Sequence, residues 1–136
     1  MARTADELAD YLTTQGVTTS DLIFIDWMPA QPDQCLVLYA DPGSGSELGF
    51  GVAAGVKYEN PAVQVVARSA SSDKDAAETL AWAAYDVLAA VQAQAIGGTE
   101  YLMIRPLQSP SGNTLGPDQN QRPRYSFNVT VRKELS

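Results

Sequence analysis

The run from Glu59 to Val91, ENPAVQVVARSASSDKDAAETLAWAAYDVLAAV, leaves little choice of local structure. Residues 62–68 (AVQVVAR) are rich in β-branched side chains and predict a strand. Residues 69–72 supply a serine-rich turn, with Ser71 or Ser72 placed to cap a helix. Asp73 and Asp75 in its first turn suit the positive end of the helix dipole. The spacing then predicts a helix from about Asp73 to Ala95, stopped by Gly97-Gly98. At 1.5 Å per residue such a helix is roughly 30 Å long. Ala77, Leu80, Ala81, Ala84, Leu88 and Val91 form its apolar stripe, and the alanines let it lie close on a sheet. Trp82, Tyr85 and Val87 fall partly off that stripe. Trp82 and Tyr85 are therefore candidates for a subunit contact as much as for a broad core contact.

Thr4, Ala5, Asp6 and Glu7 fit a capping box, in which threonine and glutamate satisfy free backbone donors reciprocally. Ala5, Leu8, Ala9 and Leu12 recur at helical spacing up to Gly16, predicting a short N-terminal helix over residues 5–15. Its polar side, with Asp6, Asp10 and Thr13, should face solvent. Residues 22–27 (LIFIDW) and 35–40 (CLVLYA) are apolar at nearly every position, as strands buried on both faces are. The intervening MPAQPDQ holds two prolines, so this connection is an irregular loop rather than a tight hairpin turn.

Glycines loosen the next stretch, yet Leu48, Phe50, Val52, Val56 and Tyr58 alternate as in a strand. An extended arm or long hairpin is expected there, suited to adding to a neighbour's sheet. Leu48, Phe50, Val52 and Tyr58 thus become candidate interface residues. Residues 101–107 (YLMIRPL) predict a strand that ends, or lies at an edge, at Arg105-Pro106. The polar run 109–123 is long for a loop in a compact domain. Residues 125–132 alternate cleanly, with Tyr125, Phe127, Val129 and Val131 on the side to be buried. The expectation is one α+β domain over residues 1–136. It has a mostly antiparallel sheet of about four to five strands, a long helix packed across one face and a short N-terminal helix.

Function is narrowed by what is missing. The sequence has no histidine, which removes the usual general base, the commonest zinc ligand and both Ser-His-Asp and Cys-His arrangements. Cys35, the only cysteine, sits in an apolar run and reads as a small buried residue rather than a reactive thiol. The glycine-rich arm lacks the GxxxxGK[ST] spacing and following helix of a phosphate loop. Asp6, Glu7 and Asp10 are most simply a solvated helix start. Asp73 and Asp75 serve a helix N-terminus, and Glu78 belongs to a helix-surface pair. Ser-Lys or carboxylate-pair chemistry stays open on composition, but no carboxylate is joined to a strand-end nucleophile. No catalytic, cofactor-binding or metal-binding residue is predicted.

No apolar run approaches the ~20 residues that span a bilayer, and MARTADELADYL lacks the apolar core of a signal peptide. A single cysteine suits a reducing cytoplasm. The net charge of −7 lies entirely in the first half, where residues 1–60 hold nine acids against Arg3 and Lys57. Residues 61–136 hold seven of each sign. This is a poor footprint for nucleic-acid binding. It fits either solubility or a surface that DNA passes without sticking. Arg68, Arg105, Arg122 and Arg124 are able to gather near one sheet edge, where clustered arginine either anchors an interface or is simply solvated.

These residues support a family comparison. NPAVQVVARS, then an acidic, alanine-rich helix with DVL at its end, a strand, a polar loop and RPRYSFNVTVR resembles the tail terminator family of long-tailed bacteriophages. The matching positions run in order along the chain. They are 4–12; Met28-Pro29; Pro61, Gln64, Val65, Arg68 and Ser69; 76–88; and Asp118, Arg122, Tyr125 and Asn128. The glycine-rich arm departs most from the family pattern.

The resemblance implies a structural virion protein, also known as a minor capsid or tail completion protein. It implies a homohexameric ring that ends tail-tube polymerisation and presents a docking surface to the head-neck connector. Its partners would be further copies of itself, the tail tube protein and the connector protein, with DNA passing through the lumen unbound. No cofactor and no membrane are implied. The place is the head-proximal end of the tail, with assembly in the host cytoplasm. A neck or head-completion protein of the same particle is the second reading, and a small-ligand-binding or enzymatic α+β domain the third.

Overall fold

In the computed structural model, which describes residues 4–48, 57–71, 73–110 and 116–134, two helices lie against a six-stranded sheet. The helices are α1 (Thr4–Thr14) and α2 (Lys74–Ala89). The strands are β1 (Ile23–Ile25), β2 (Cys35–Leu48), β3 (Lys57–Arg68), β4 (Gln92–Ile96), β5 (Thr99–Pro106) and β6 (Arg124–Glu134). Their spatial order is β1-β2-β3-β6-β5-β4. β1 and β2 run parallel, and the other neighbouring pairs are antiparallel.

Period-two alternation sorts the central strands into a core face and an open face. Leu36, Leu38, Val63, Val65, Ala67, Phe127 and Val129 join one buried cluster with the apolar stripes of both helices. α2 contributes Ala77, Leu80, Ala81, Ala84 and Leu88, and packs on β3, β5 and β6. α1 contributes Ala5, Leu8, Ala9 and Leu12 and packs on β1 to β4 and on α2. The cap of α2 is Asp73, whose carboxylate accepts from the Ala76 amide at 3.2 Å. Both helices therefore cover the same side of the sheet.

The expected sheet and helix are overturned on three counts. The sheet has six strands, not four or five; it is mixed; and the longer helix has 16 residues. Residues 90–95 suggest helix from sequence because alanine favours helix and Gly97-Gly98 resembles a stop. Here the helix ends at Ala89, and the buried Val91 carbonyl accepts from the Ile104 amide at 3.4 Å. The chain then pairs as β4, and Gly97 (φ +59°) and Gly98 (φ +81°) form the two-residue turn into β5. Both conformations are left-handed, as a tight hairpin of this kind demands. The parallel pair arises because the proline-rich loop returns the chain alongside β1 instead of reversing it. Asp26, at φ +66°, ends β1 and accepts from the Ala40 amide at 2.9 Å. β2 and β3 stay paired as far as Leu48 and Lys57, with irregular register between Asp41 and Glu47. Phe50 and Val52 lie outside the described residues.

Glu7 also departs from expectation. It is 5% exposed rather than part of a solvated helix start. Its carboxylate accepts from the Thr99 hydroxyl and the Tyr101 phenol, both at 2.7 Å, and lies 3.5 Å from the Lys133 ammonium. Lys133, 4% exposed, also stands 3.5 Å from Glu59. Burial and the adjacent carboxylate push the Tyr101 phenol far up, so it remains a proton donor. One acid on α1 thus joins β5 and β6, and one cation ties that group to β3. Breaking such a buried pair by removing one partner costs about 3–5 kcal/mol.

A glycine comparison tests this packing. A Cβ on Gly97 would stand 2.8 Å from Glu7 Oε2, whereas one on Gly98 meets nothing within 4 Å. Gly98→Ala should cost about 1 kcal/mol of backbone strain, and Gly97→Ala about 2–3 kcal/mol because the held carboxylate must also move. Urea unfolding of the two variants measures both. Equal losses would mean that Glu7 is not fixed against this turn.

Candidate functional site

Where β2 begins, β3 ends and β6 begins, Cys35, Arg68 and Arg124 are neighbours in one row of the sheet. Alternation sets Arg68 and Arg124 on the open face, away from α2. Arg68 is 1% exposed. Its Nε donates to the Asp33 carbonyl at 2.9 Å and its Nη2 to the Pro32 carbonyl at 2.6 Å. Its Nη1 stands 3.8 Å from the Asp118 carboxylate. Arg122, also buried, donates through Nε to that carboxylate at 2.8 Å. Through Nη1 it reaches the Ala30 carbonyl at 2.6 Å and Asp33 Oδ1 at 3.1 Å. Two guanidinium forks thereby fasten the β1–β2 loop to the β5–β6 loop. Arginine suits the task, since it offers five donors in a rigid plane and stays charged.

The loop segment DQNQR builds its own half of this clamp. Asp118 Oδ1 accepts from the Asn120 amide at 2.9 Å and from the Arg122 amide at 3.0 Å. Its backbone pairs with Arg122 and Gln121, the latter at φ +60°. A short carboxylate that bonds its own downstream backbone is what stabilises such a turn. Desolvation pulls the Asp118 carboxyl upward. The Arg122 and Asn120 amides and the Arg122 guanidinium outweigh it and hold the carboxyl below its usual value. Arg124 fastens the start of the segment, donating to the Gly116 carbonyl at 3.0 Å.

Two open cavities of about 370 and 430 Å³ meet at Pro117 and Arg124. Ser71 and Lys74 both line the first, but no hydrogen bond joins them among the described residues. The nearby Cys35 thiol is pushed up by burial against the pull of Arg68 and Arg122, which leaves it a thiol. Among the described residues no group of three or more cysteine and acidic side chains is placed to hold a metal. What the arrangement does is fix two loops in one shape.

Of the four arginines read as able to gather near a sheet edge, Arg68, Arg122 and Arg124 meet, but at the ends of the central strands β3 and β6 rather than at an edge. Arg105 stands apart, exposed on β5. Tyr58 is buried beneath the Arg132 guanidinium, 4.8 Å from its ring centre. Trp82 and Tyr85 are half-buried and meet edge to face at 5.0 Å, and Tyr85 meets the buried Phe127 at 5.6 Å. Leu48 ends β2. The clamp's partners Asp33 and Ala30 were not singled out from sequence. The only available signal was the rigid, carbonyl-rich PAQPD run. Glu7 and Lys133 were missed because nothing local distinguishes them from solvated charges.

The profile of the bacteriophage tail terminator protein matches residues 11–135, which takes in every strand, α2 and both clamped loops. The chain belongs to the bacteriophage tail terminator family. Among solved structures it is similar to a chain of the virion of a native gene transfer agent (GTA) particle, with a TM-score of 0.61 and 10% identity. That similarity covers 98% of this chain and 100% of the other, and shows a shared fold. No curated protein sequence matches significantly. This tail terminator is therefore a structural protein of the phage tail.

The clamp predicts a particular pH dependence for this tail terminator. Asp118 has a folded value below the unfolded carboxylate's 3.8. Its contribution is then fully present above pH 3.8 and fades as pH falls through the lower folded value. Asp118→Asn should be less stable than the parent at pH 7, with the gap closing in stronger acid. Urea titrations from pH 7 down to about pH 2.5 measure the gap, and a gap that stays constant would contradict the assignment.

Proposed function

We propose that this tail terminator caps the phage tail tube as a ring, ends tube polymerisation and offers the surface on which the head-neck connector docks. Family membership over residues 11–135 is the observation that carries the reading. The physical features agree with it. A cap must present loops of fixed shape, and the Arg68–Arg122–Asp118 clamp holds two loops together at one end of the sheet. The paired strands β2 and β3 extend the sheet at the opposite end as far as Leu48 and Lys57, an edge suited to adding to a neighbour's sheet. A ring also requires head-to-tail contacts between unlike surfaces. The acidic balance of the chain, −7 overall, suits a lumen through which DNA passes unbound.

Deleting the gene from a phage that carries it is the direct test, read by electron microscopy of the lysate. Overlong tail tubes without attached heads are expected. Normal tails beside detached, DNA-filled heads would instead assign the protein to the neck. Normal tails joined to heads would reject both roles.

A further inference from the structure

The outer surfaces of the two layers differ in charge, and the difference is concentrated in two strips. On α2, Asp75, Glu78, Trp82 and Asp86 recur three and four residues apart, opposite the buried stripe. Asp75 and Asp86 are exposed and Glu78 and Trp82 half-buried, while the exposed Lys74 stands one turn before Glu78 in the same row. The strip is thus one large aromatic ring set among three carboxylates, with a single lysine at its N-terminal end and a net negative charge. On the other side of the sheet, Met103, Arg105 and Leu107 project alternately from β5 and its continuation. Met103 is beside Arg132, Arg105 beside Thr130, and the Leu107 amide donates to the Asn128 carbonyl at 2.8 Å. Met103 is 42% and Leu107 49% exposed, and Arg105 between them is exposed as well. Met103 and Leu107 are two of the three large apolar side chains that stand exposed among the described residues, the third being Trp27.

We infer that this sheet strip docks on the α2 strip of a second copy of the chain, so that Arg105 meets carboxylates while Met103 and Leu107 pack around Trp82. Three observations favour a second copy over other occupants. The strips are complementary in charge and both offer apolar area. They are present in equal number on every molecule. They also lie on opposite faces of one sheet, so each copy gives one strip and receives the other, which propagates a heterologous contact that a ring closes. Nucleic acid is disfavoured, because the α2 strip would repel it. The inference rests on the ring assembly proposed above and assigns its interface.

Sedimentation velocity over a range of concentrations tests it with two variants of the full chain. Arg105→Glu spoils the sheet strip. The combined change Asp75→Lys, Glu78→Lys and Asp86→Lys spoils the α2 strip. Each alone should raise the dissociation constant for self-association about tenfold or more, with the thermal melt unchanged for Arg105→Glu and lowered by only a few degrees for the triple variant, which loses Asp75 from the positive end of the helix dipole. An equimolar mixture should associate again, because each variant retains one native strip and the two altered strips complement each other. Added salt should weaken the parent's association. Variants that associate like the parent, or a parent monomeric at every concentration, would overturn the pairing. So would Arg105→Glu losing the tail tube protein but not its own copies. None of those results bears on the deletion phenotype, so tube capping would stand or fall separately.

Discussion

Two buried guanidinium groups decide the shape of the open side of this sheet. Arg68 projects from the end of β3 and Arg122 from the β5–β6 loop. Between them they bind three carbonyls of the β1–β2 loop and the Asp118 carboxylate. Each would be costly to bury unpaired, and each is paired to groups that have few other donors. Other contacts share the task, among them the Ser69 amide to the Pro123 carbonyl and the Arg124 guanidinium to Gly116. The two buried arginines are the contacts that reach across from one loop to the other.

The Glu7 cluster does the corresponding work at the far end of β3 and β6. There a carboxylate from α1, a lysine from β6 and a second carboxylate from β3 meet with two hydroxyls of β5. Buried ion pairs are weak contributors to net stability, because desolvation opposes the Coulomb term. Their value lies in register. A shift of β6 by one residue would turn Lys133 to the open face and leave Glu7 buried without its cation. The two charged clusters therefore pin opposite ends of the β3–β6 pair, which lies at the centre of the sheet.

Legibility from sequence followed the range of the interaction. The β6 alternation and the α2 stripe are local patterns, and both are present with the expected faces buried. The family was readable for a related reason, since its residues sit in order along those elements. What misled were positions where local preference and tertiary pairing disagree. Alanines 89–95 favour helix in isolation, but pairing with β5 draws the last of them into β4. LIFIDW and CLVLYA give no sign of relative direction, which depends on the path of an irregular loop. Glu7 looked like a cap residue because its partners lie more than 90 positions away. Arg68, Arg105, Arg122 and Arg124 read as one possible group, but Arg105 stands apart, and the carbonyls the other three bind carry no sequence signature.

A layered domain with charge on two unlike faces, loops locked at one end and a hairpin at the other is suited to head-to-tail assembly. In the proposed assembly, such copies close on the end of a tail tube. Electron microscopy of purified tail tubes mixed with the purified protein is the decisive test. One ring of density at a single end of each tube is expected, with tubes that no longer elongate when fresh tube protein is added. Bare ends and continued growth at saturating protein would contradict it.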